Sequence, residues 1–178
     1  MKIINTKLNE VKIICPIIYE DNRGLFFESF NQKSFDKLIN NNTKFVQDNH
    51  SMSEFNVLRG LHYQQEPFSQ GKLVRVIKGE IFDVAVDIRK NSKNFKEWVG
   101  VKLSSQNKKQ LWVPRGFAHG FLVLSEEAEV LYKTDNYYNK NSERSIIWND
   151  PDLNIDWPLK ESPYLSEKDK NANLLNEQ

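Results

Sequence analysis

Short apolar runs rich in β-branched and aromatic residues fill most of this chain, and turn residues separate them at close intervals. Turns such as Lys78-Gly79-Glu80 and Asn91-Ser92-Lys93-Asn94 end these runs before they reach the length of an ordinary helix. Regular short strands with few helices predict an antiparallel β sandwich or barrel. The predicted strands cover residues 11–18, 25–30, 44–48, 56–63, 72–77, 80–88, 98–103, 109–113, 116–124, 129–136 and 144–148.

Two short helices are predicted in addition. From Gln32 to Asn40 the spacing of apolar residues fits one face of a helix. The run from Ser166 to Asp169 has the form of a capping box, which predicts a second helix extending through Leu175. Pro16 lies inside the first predicted strand, which indicates an edge strand or a bulge there.

Length and charge limit the class of protein. A chain of 178 residues without an internal repeat or linker predicts one domain over 1–178. Its 25 basic and 24 acidic residues nearly cancel, so neither nucleic acid nor an anionic membrane is an expected partner. Cys15 is the single cysteine and the N-terminal residues lack a signal-peptide pattern, so a cytoplasmic protein is expected. No apolar run approaches the roughly 20 residues that a membrane helix requires.

Two glycine-bounded stretches concentrate the residues able to do chemistry, VLRGLHYQQEPFSQGKLVRVIKG over 57–79 and PRGFAHG over 114–120. They resemble the first and second sequence motifs of the cupins, which implies a mainly β fold, the double-stranded β-helix or jelly-roll barrel, with a few short helices. In metal cupins these motifs supply three histidines and a glutamate. The matching positions here hold His62, Gln64, Lys72 and His119.

Lys72 at a ligand position argues against a metal site, because a protonated lysine offers no lone pair. Two histidines and a glutamine make a poor site for a divalent ion. We therefore expect neither a metal nor another cofactor. A histidine and a fixed cation suit proton abstraction beside a ketone, since His62 could take the proton and Lys72 could stabilise the enolate oxygen. A phenol or water could return a proton on the other face.

The chain as a whole resembles the dTDP-4-dehydrorhamnose 3,5-epimerase family of bacterial deoxysugar synthesis. The resemblance extends in order over about residues 11 to 170. The matching segments are 23–28, 46–51, 57–64, 71–76, 79–87, 111–114, 116–121, 148–151 and 165–169. It implies an isomerase that inverts C3 and C5 of dTDP-4-dehydro-6-deoxy-D-glucose in dTDP-L-rhamnose synthesis for cell-surface polysaccharide.

The resemblance also implies the role of each residue in the reaction. His62 would be the base, Asp169 its hydrogen-bond partner, Lys72 the cation at the C4 oxygen and Tyr132 the general acid. Seven further residues would bind the substrate's sugar, phosphates or nucleotide, and Tyr138 would pack on the thymine. These seven are Arg23, Phe26, Glu28, Gln47, Asn49, Arg59 and His119, with Lys168 near the phosphates.

Family members are dimers that exchange N-terminal strands. The resemblance therefore implies a homodimer in which residues 1–30 take part in the exchange and residues 161–178 close the site. The partners that it implies are a dTDP-linked 4-keto-6-deoxy sugar and a second copy of the chain.

Each of these residues taken alone has an ordinary structural explanation. A lone histidine on a strand such as His62 is more often structural, Lys72 is one of 25 basic residues, and Tyr132 lies in an apolar strand. Asp169 fills the last position of a capping box. Their joint placement at the family's positions favours the catalytic interpretation.

Other functions remain open at this point. A mono-epimerase, or an epimerase of another nucleotide-linked 4-keto sugar, would use the same base and acid. A 3,4-ketoisomerase is less favoured. A metal cupin oxygenase would need more ligands than His62 and His119, and a non-catalytic sugar-nucleotide binding protein would leave the base and acid without a purpose.

Overall fold

Two antiparallel β-sheets pack around a shared apolar core. The computed structural model describes residues 1–39 and 43–178. Its strands are β1 Lys2–Asn5, β2 Lys12–Cys15, β3 Ile18–Asp21, β4 Gly24–Phe27, β5 Gln47–Glu54, β6 Leu58–Gln64, β7 Lys72–Lys78, β8 Glu80–Asp87, β9 Trp98–Ser104, β10 Gln110–Val113, β11 Phe117–Val123, β12 Glu127–Thr134 and β13 Glu143–Ser145. The helices are α1 Gln32–Ile39 and α2 Glu167–Lys170, with single 3₁₀ turns at Lys140–Ser142 and Leu175–Glu177. The predicted mainly β fold with few helices is confirmed.

The six-stranded sheet has the order β1-β2-β10-β7-β12-β5, and the five-stranded sheet has the order β13-β6-β11-β8-β9. The main core contains side chains from both sheets, such as Val74 and Val76 on β7 and Ile81 and Ala85 on β8. Because side chains alternate along a strand, Lys72 shares the inner face of β7 with these valines. Asp83 likewise lies between Ile81 and Ala85 on the inner face of β8.

The N-terminal strands differ from the prediction at Pro16. The predicted strand over 11–18 is divided there into β2, in the six-stranded sheet, and β3, which forms a separate two-stranded sheet with β4. Proline cannot donate a ladder hydrogen bond, so one continuous strand through this position is disfavoured. The second predicted strand ends at Phe27 rather than Phe30.

Helix α1 covers the outer face of the six-stranded sheet. Phe35 is fully buried against Trp112, with ring centroids 5.2 Å apart in an edge-on arrangement. The helix is described through Ile39, and its predicted end at Asn40 lies outside the described residues.

Strand β5 replaces the strand predicted over 44–48. Its sequence, QDNHSMSE, is almost entirely polar, and its residues alternate between less and more exposed positions at the edge of the sheet. Apolar periodicity therefore could not detect it.

The second predicted helix is wrong in its length. Helix α2 ends at Lys170 instead of continuing through Leu175. Ser166 caps it by accepting a hydrogen bond from the backbone N–H of Asp169. Over the described part of the chain, none of the helices has both the length and the apolar character that crossing a membrane would demand.

Candidate active site

A cavity of about 240 Å³ opens between the inner faces of the sheets near the ends of β5, β6, β7 and β12. Six of the predicted site residues line it. The lining residues are Gln47, Asn49, His62, Tyr63, Gln64, Gln70, Lys72, Tyr132, Tyr138 and Glu143.

His62 lies on β6, opposite His119 of β11 and Ser145 of β13. Its Nε2 lies 2.5 Å from Oδ1 of Asp169, the hydrogen bond that the family resemblance implies. With the Nε2 hydrogen donated to the carboxylate, the basic lone pair is on Nδ1. Burial lowers the pKa of His62, and the hydrogen bond with Asp169 opposes this only in part. The imidazole is therefore neutral at pH 7, as a base must be.

Asp169 is almost fully buried, with 2% of its surface exposed. Burial raises the pKa of this carboxyl group, but hydrogen bonds from His62, Ser166 and the backbone N–H of Gly60 outweigh that effect and lower it. The group remains a carboxylate at neutral pH and can stabilise an imidazolium on His62.

Lys72 begins strand β7 and is 9% exposed. Within the described residues its Nζ makes a single long hydrogen bond, 3.4 Å to the carbonyl oxygen of His62. Burial lowers the pKa of Lys72 to about 8, while the charges of Asp83 and Glu143 raise it. An ammonium group therefore remains at pH 7 beside the cavity.

Tyr132 lies on β12, in register with Asn49 of β5 and Val74 of β7. Burial raises the pKa of its phenol, and the nearby charge of Arg59 opposes this. The phenol keeps its proton at neutral pH and is able to donate it.

Arg59 and His119 are not among the residues that line this cavity, and both have protein partners. Arg59 is exposed, and its Nε donates to Oγ of Ser53 at 2.9 Å. His119 is 6% exposed, and its Nε2 lies 2.7 Å from Oδ1 of Asp83.

Glu143, which no sequence motif indicates, is the acidic residue of the cavity lining. It accepts hydrogen bonds from Nζ of Lys168 at 2.9 Å and from the hydroxyl of Tyr138 at 3.2 Å. Burial raises the pKa of Glu143, but the hydrogen bond from Lys168 and its charge lower it overall. One acidic residue among 24 gives no sequence signal, because only the pairing of β13 with β6 places it beside His62.

Gln47 connects Asn49 and Tyr138, two other predicted binding residues. Its Nε2 donates to Asn49 at 2.9 Å, and its Oε1 accepts from the backbone N–H of Tyr138 at 3.2 Å. These three side chains form one rim of the cavity. Tyr138 is half exposed there, which leaves its ring face available for stacking.

Arg23, Phe26 and Glu28 lie away from this cavity, on or just after the β3–β4 hairpin. Arg23 pairs with Asp21 at 2.6 Å, and Phe26 is 71% exposed. Glu28 accepts from Asn31 at 3.1 Å. The chain does not bring these three to its own cavity.

The four positions that match cupin ligands do not form a ligand set here. Gln64 accepts from the backbone N–H of Asn139 and donates to the carbonyl of Phe68, so its amide positions loops. Within residues 1–39 and 43–178, histidine, cysteine and acidic side chains do not cluster in groups of three that could hold a metal ion.

Comparison with known proteins gives one consistent result. A family model described as dTDP-4-dehydrorhamnose 3,5-epimerase matches residues 5–177. A dTDP-4-dehydrorhamnose 3,5-epimerase of Shigella flexneri is 58% identical over 172 residues, which cover 97% of this chain and 94% of that protein.

Solved structures agree with this match. The crystal structure of dTDP-6-deoxy-D-glucose-3,5-epimerase from Legionella pneumophila, in complex with dTDP-4-keto-L-rhamnose, superposes with a TM-score of 0.96 at 56% identity and covers 98% of this chain and 93% of that one. A 3'-monoepimerase of Streptomyces bikiniensis in complex with dTDP-quinovose has a TM-score of 0.91 at 31% identity, covering 97% of this chain and 87% of that one. The predicted cupin-type barrel is confirmed by these neighbours.

Proposed function

The chain belongs to the dTDP-4-dehydrorhamnose 3,5-epimerase family, and from this premise we propose that it inverts C3 and C5 of dTDP-4-dehydro-6-deoxy-D-glucose. The observation that carries the proposal is the position of His62, Lys72 and Tyr132 around one cavity, with a buried carboxylate behind the histidine. The higher identity to 3,5-epimerases than to the solved 3'-monoepimerase supports inversion at both carbons.

Proton removal is the first step of each inversion. Nδ1 of His62 takes the proton from the carbon next to the ketone, and the electron pair of the C–H bond moves to the C4 oxygen as an enolate forms. The protonated Lys72 stabilises this oxygen electrostatically. Asp169 stabilises the imidazolium that results.

Reprotonation from the other face completes the inversion. The phenol of Tyr132 gives its proton to the carbon as the enolate electrons return, which leaves a tyrosinate and an imidazolium. Exchange of protons with solvent resets both groups, and the same cycle then acts on the second carbon.

Substrate binding is assigned to the residues around the chemistry. Arg59, His119 and Lys168 hold the sugar and phosphates, and Gln47, Asn49 and Tyr138 hold the nucleotide. Basic side chains suit a pyrophosphate, and an aromatic face suits a pyrimidine base.

A homodimer accounts for the three remaining residues. The β3–β4 hairpin is a separate two-stranded sheet with exposed apolar side chains, including Tyr19 at 61% and Phe26 at 71%. An isolated hairpin of this kind is marginally stable in water, so another surface is needed to cover it. Strands β1 and β2 pair with each other within their own chain. The strand exchange that we propose between the two subunits therefore involves the β3–β4 hairpin alone. We assign Arg23, Phe26 and Glu28 to the cavity of the second copy.

The deciding experiment follows hydrogen exchange. The protein is incubated with dTDP-4-dehydro-6-deoxy-D-glucose in deuterated water, and proton NMR follows the signals of the hydrogen atoms on C3 and C5. Exchange at both carbons supports the proposal, and exchange at one alone identifies a mono-epimerase. Binding without exchange overturns catalysis on this substrate.

Two histidine variants form a matched pair for this assay. His62→Asn removes the base, so exchange falls to the background rate. His50→Asn changes an exposed histidine that pairs with Glu129, and exchange continues at the wild-type rate. Full exchange by His62→Asn would assign the base to another residue. A cytoplasmic location without nucleic-acid or membrane partners stays a prediction from charge and cysteine content.

A further inference from the structure

Asp83 is a fully buried carboxylate in the middle of β8, with none of its surface exposed. An isolated charge in such a position is costly, and native proteins keep one only with partners. Oδ1 lies 2.7 Å from Nε2 of His119. Oδ2 has no hydrogen-bond partner among the described residues. Half of this carboxylate is therefore not explained by hydrogen bonding within the fold.

The second charge in the same interior is Lys72. It enters from β7 of the six-stranded sheet, whereas Asp83 enters from β8 of the five-stranded sheet, and both side chains lie on faces that share the main core. Burial is the largest effect on the pKa of Lys72 and lowers it, and the charge of Asp83 is the largest one that raises it.

Other charged groups also face Lys72, and they do not replace Asp83. Glu143 on β13 supports the ammonium form, while Lys168 on α2 opposes it. Glu143 is already hydrogen-bonded to that same Lys168. His62 on β6 presents its carbonyl oxygen to Lys72, and Tyr132 on β12 lines the same cavity.

We propose that Asp83 is a positioning residue of the epimerase reaction, whose buried carboxylate keeps Lys72 protonated and holds His119 in the tautomer that carries a hydrogen on Nε2. This inference rests on the proposed function. Asp83 acts through these two side chains and does not touch the substrate. One carboxylate thereby links the cation that stabilises the enolate oxygen with a histidine assigned to sugar binding.

A structural role for Asp83 predicts a different result from a positioning role. If the carboxylate served the fold alone, its replacement would lower the melting temperature and leave the pH dependence of catalysis in place. If it supports the charge on Lys72, the basic limb of the pH profile moves when the carboxylate becomes an amide.

The test compares kcat and kcat/KM from pH 5 to 10 for wild type and Asp83→Asn. We expect the basic limb to move to lower pH by about one pH unit, as loss of a nearby opposite charge does. The rate at pH 9, above both pKa values, falls about tenfold, because one pKa unit is a tenfold change in ionisation. Asp83→Glu keeps the negative charge, so its basic limb lies closer to that of wild type than the basic limb of Asp83→Asn does. An unmoved limb in folded Asp83→Asn overturns the proposal.

Asp87→Asn is the matched control, because Asp87 is another fully buried carboxylate of β8 and pairs with Arg89 instead. It lowers the melting temperature and leaves the basic limb in place. A second control combines Asp83→Asn with Lys72→Arg, since a guanidinium keeps its proton throughout this range. In the Lys72→Arg protein, the additional change Asp83→Asn leaves the basic limb of the pH profile at the same pH.

Carbon NMR of wild-type protein and of the two Asp83 variants with ¹³C-labelled lysine provides a measurement that needs no turnover. Lys72 is assigned from the signal lost in Lys72→Arg. A Lys72 titration midpoint that moves to lower pH in Asp83→Asn and returns in Asp83→Glu supports the proposal, and a midpoint that is the same in all three proteins overturns it. If this titration succeeds while the deuterium assay shows no exchange, the proposed function has failed and the assignment of Asp83 to Lys72 stands.

Discussion

Nε2 of His62 and Oδ1 of Asp169 lie 2.5 Å apart, although 107 residues separate them in sequence. Strand β6 supplies the histidine, and the short helix α2 supplies the carboxylate. The Oγ of Ser166 accepts a hydrogen bond from the backbone N–H of Asp169 and so caps this helix. In a capping box the side chain of Asp169 would accept a hydrogen bond from the backbone N–H of Ser166. Here it bonds His62 instead.

Asp169→Asn should slow exchange at C3 and C5 on the order of a hundredfold, the usual range for impaired acid–base catalysis. The carboxylate raises the pKa of His62, so its loss should also move the acid limb of the pH profile to lower pH. Rates of deuterium incorporation from pH 4 to 8 measure both effects. Glu167→Gln, on the exposed side of the same helix, serves as the control and keeps wild-type rates. An unchanged acid limb in Asp169→Asn would contradict the pairing.

The wild-type enzyme should be active over a limited pH range. The pKa of His62 is lowered from its ordinary value of 6.5, so activity rises with pH as the imidazole loses its proton below that value. Lys72, with a pKa of about 8, then loses its charge and activity falls. Initial rates of epimerisation in buffers of constant ionic strength give the two limbs. A rate that still increases above pH 9 would exclude a required ammonium on Lys72.

Tyr132→Phe should separate exchange from inversion. His62 still removes the proton and can return deuterium to the same face, while the donor on the opposite face is missing. We expect deuterium to appear at the reacting carbons with the original configuration, and the inverted product to decrease at least about a hundredfold. Proton NMR of the sugar distinguishes the two results. Tyr137→Phe, an exposed neighbour at 65%, is the control. Inversion at the wild-type rate by Tyr132→Phe would assign the acid elsewhere.

Lys72→Met should remove most activity and change stability little, because two opposite effects on stability are expected. Removing one stabilising group at a developing oxyanion costs about a hundredfold to a thousandfold in kcat. A buried ammonium whose pKa falls from 10.5 to about 8 costs the folded state roughly 3 kcal/mol, which methionine avoids. The same substitution leaves the buried carboxylate of Asp83 without this opposite charge, which offsets the gain. Denaturant unfolding and exchange assays measure the two quantities. Lys78→Met, exposed on the same strand, should change neither by much. A strongly destabilised Lys72→Met protein would show that the lysine holds the fold together.

Mixing two inactive variants tests the assignment of the hairpin to a second copy. Arg23→Ala/Phe26→Ala lacks the hairpin contacts, and His62→Asn lacks the base. If each hairpin serves its partner's cavity, unfolding and refolding the two together should restore roughly a quarter of the sites, as random pairing in a twofold dimer requires. Each variant refolded alone stays inactive. No recovery from a mixture shown to contain heterodimers would place the hairpin in its own chain's site.

The strands of the barrel interior could be predicted from the sequence because burial selects their residues. Strands β7, β8 and β11 are rich in apolar residues and each begins directly after a glycine, and their predicted limits are close to the observed ones. Strand β5 was missed for the opposite reason. It lies at a sheet edge, and ladder hydrogen bonds rather than apolar side chains hold it in place.

Motif spacing pointed to the residues of the reaction, but not to the residues that support them. His62 and Lys72 stand in recognisable motifs, whereas Asp83 is one aspartate in an apolar run. Its relation to Lys72 depends on two sheets facing each other, which no local pattern encodes. Glu143 was missed for the same reason, since strand pairing across the sheet brings it to the cavity.

The position of Asp169 in the chain also has a consequence for the timing of synthesis. A ribosome finishes all thirteen strands before it adds this residue. The carboxylate behind the catalytic histidine is therefore among the last side chains of the site to be made. A shortened chain that lacked helix α2 would keep the thirteen described strands and lose the partner of His62.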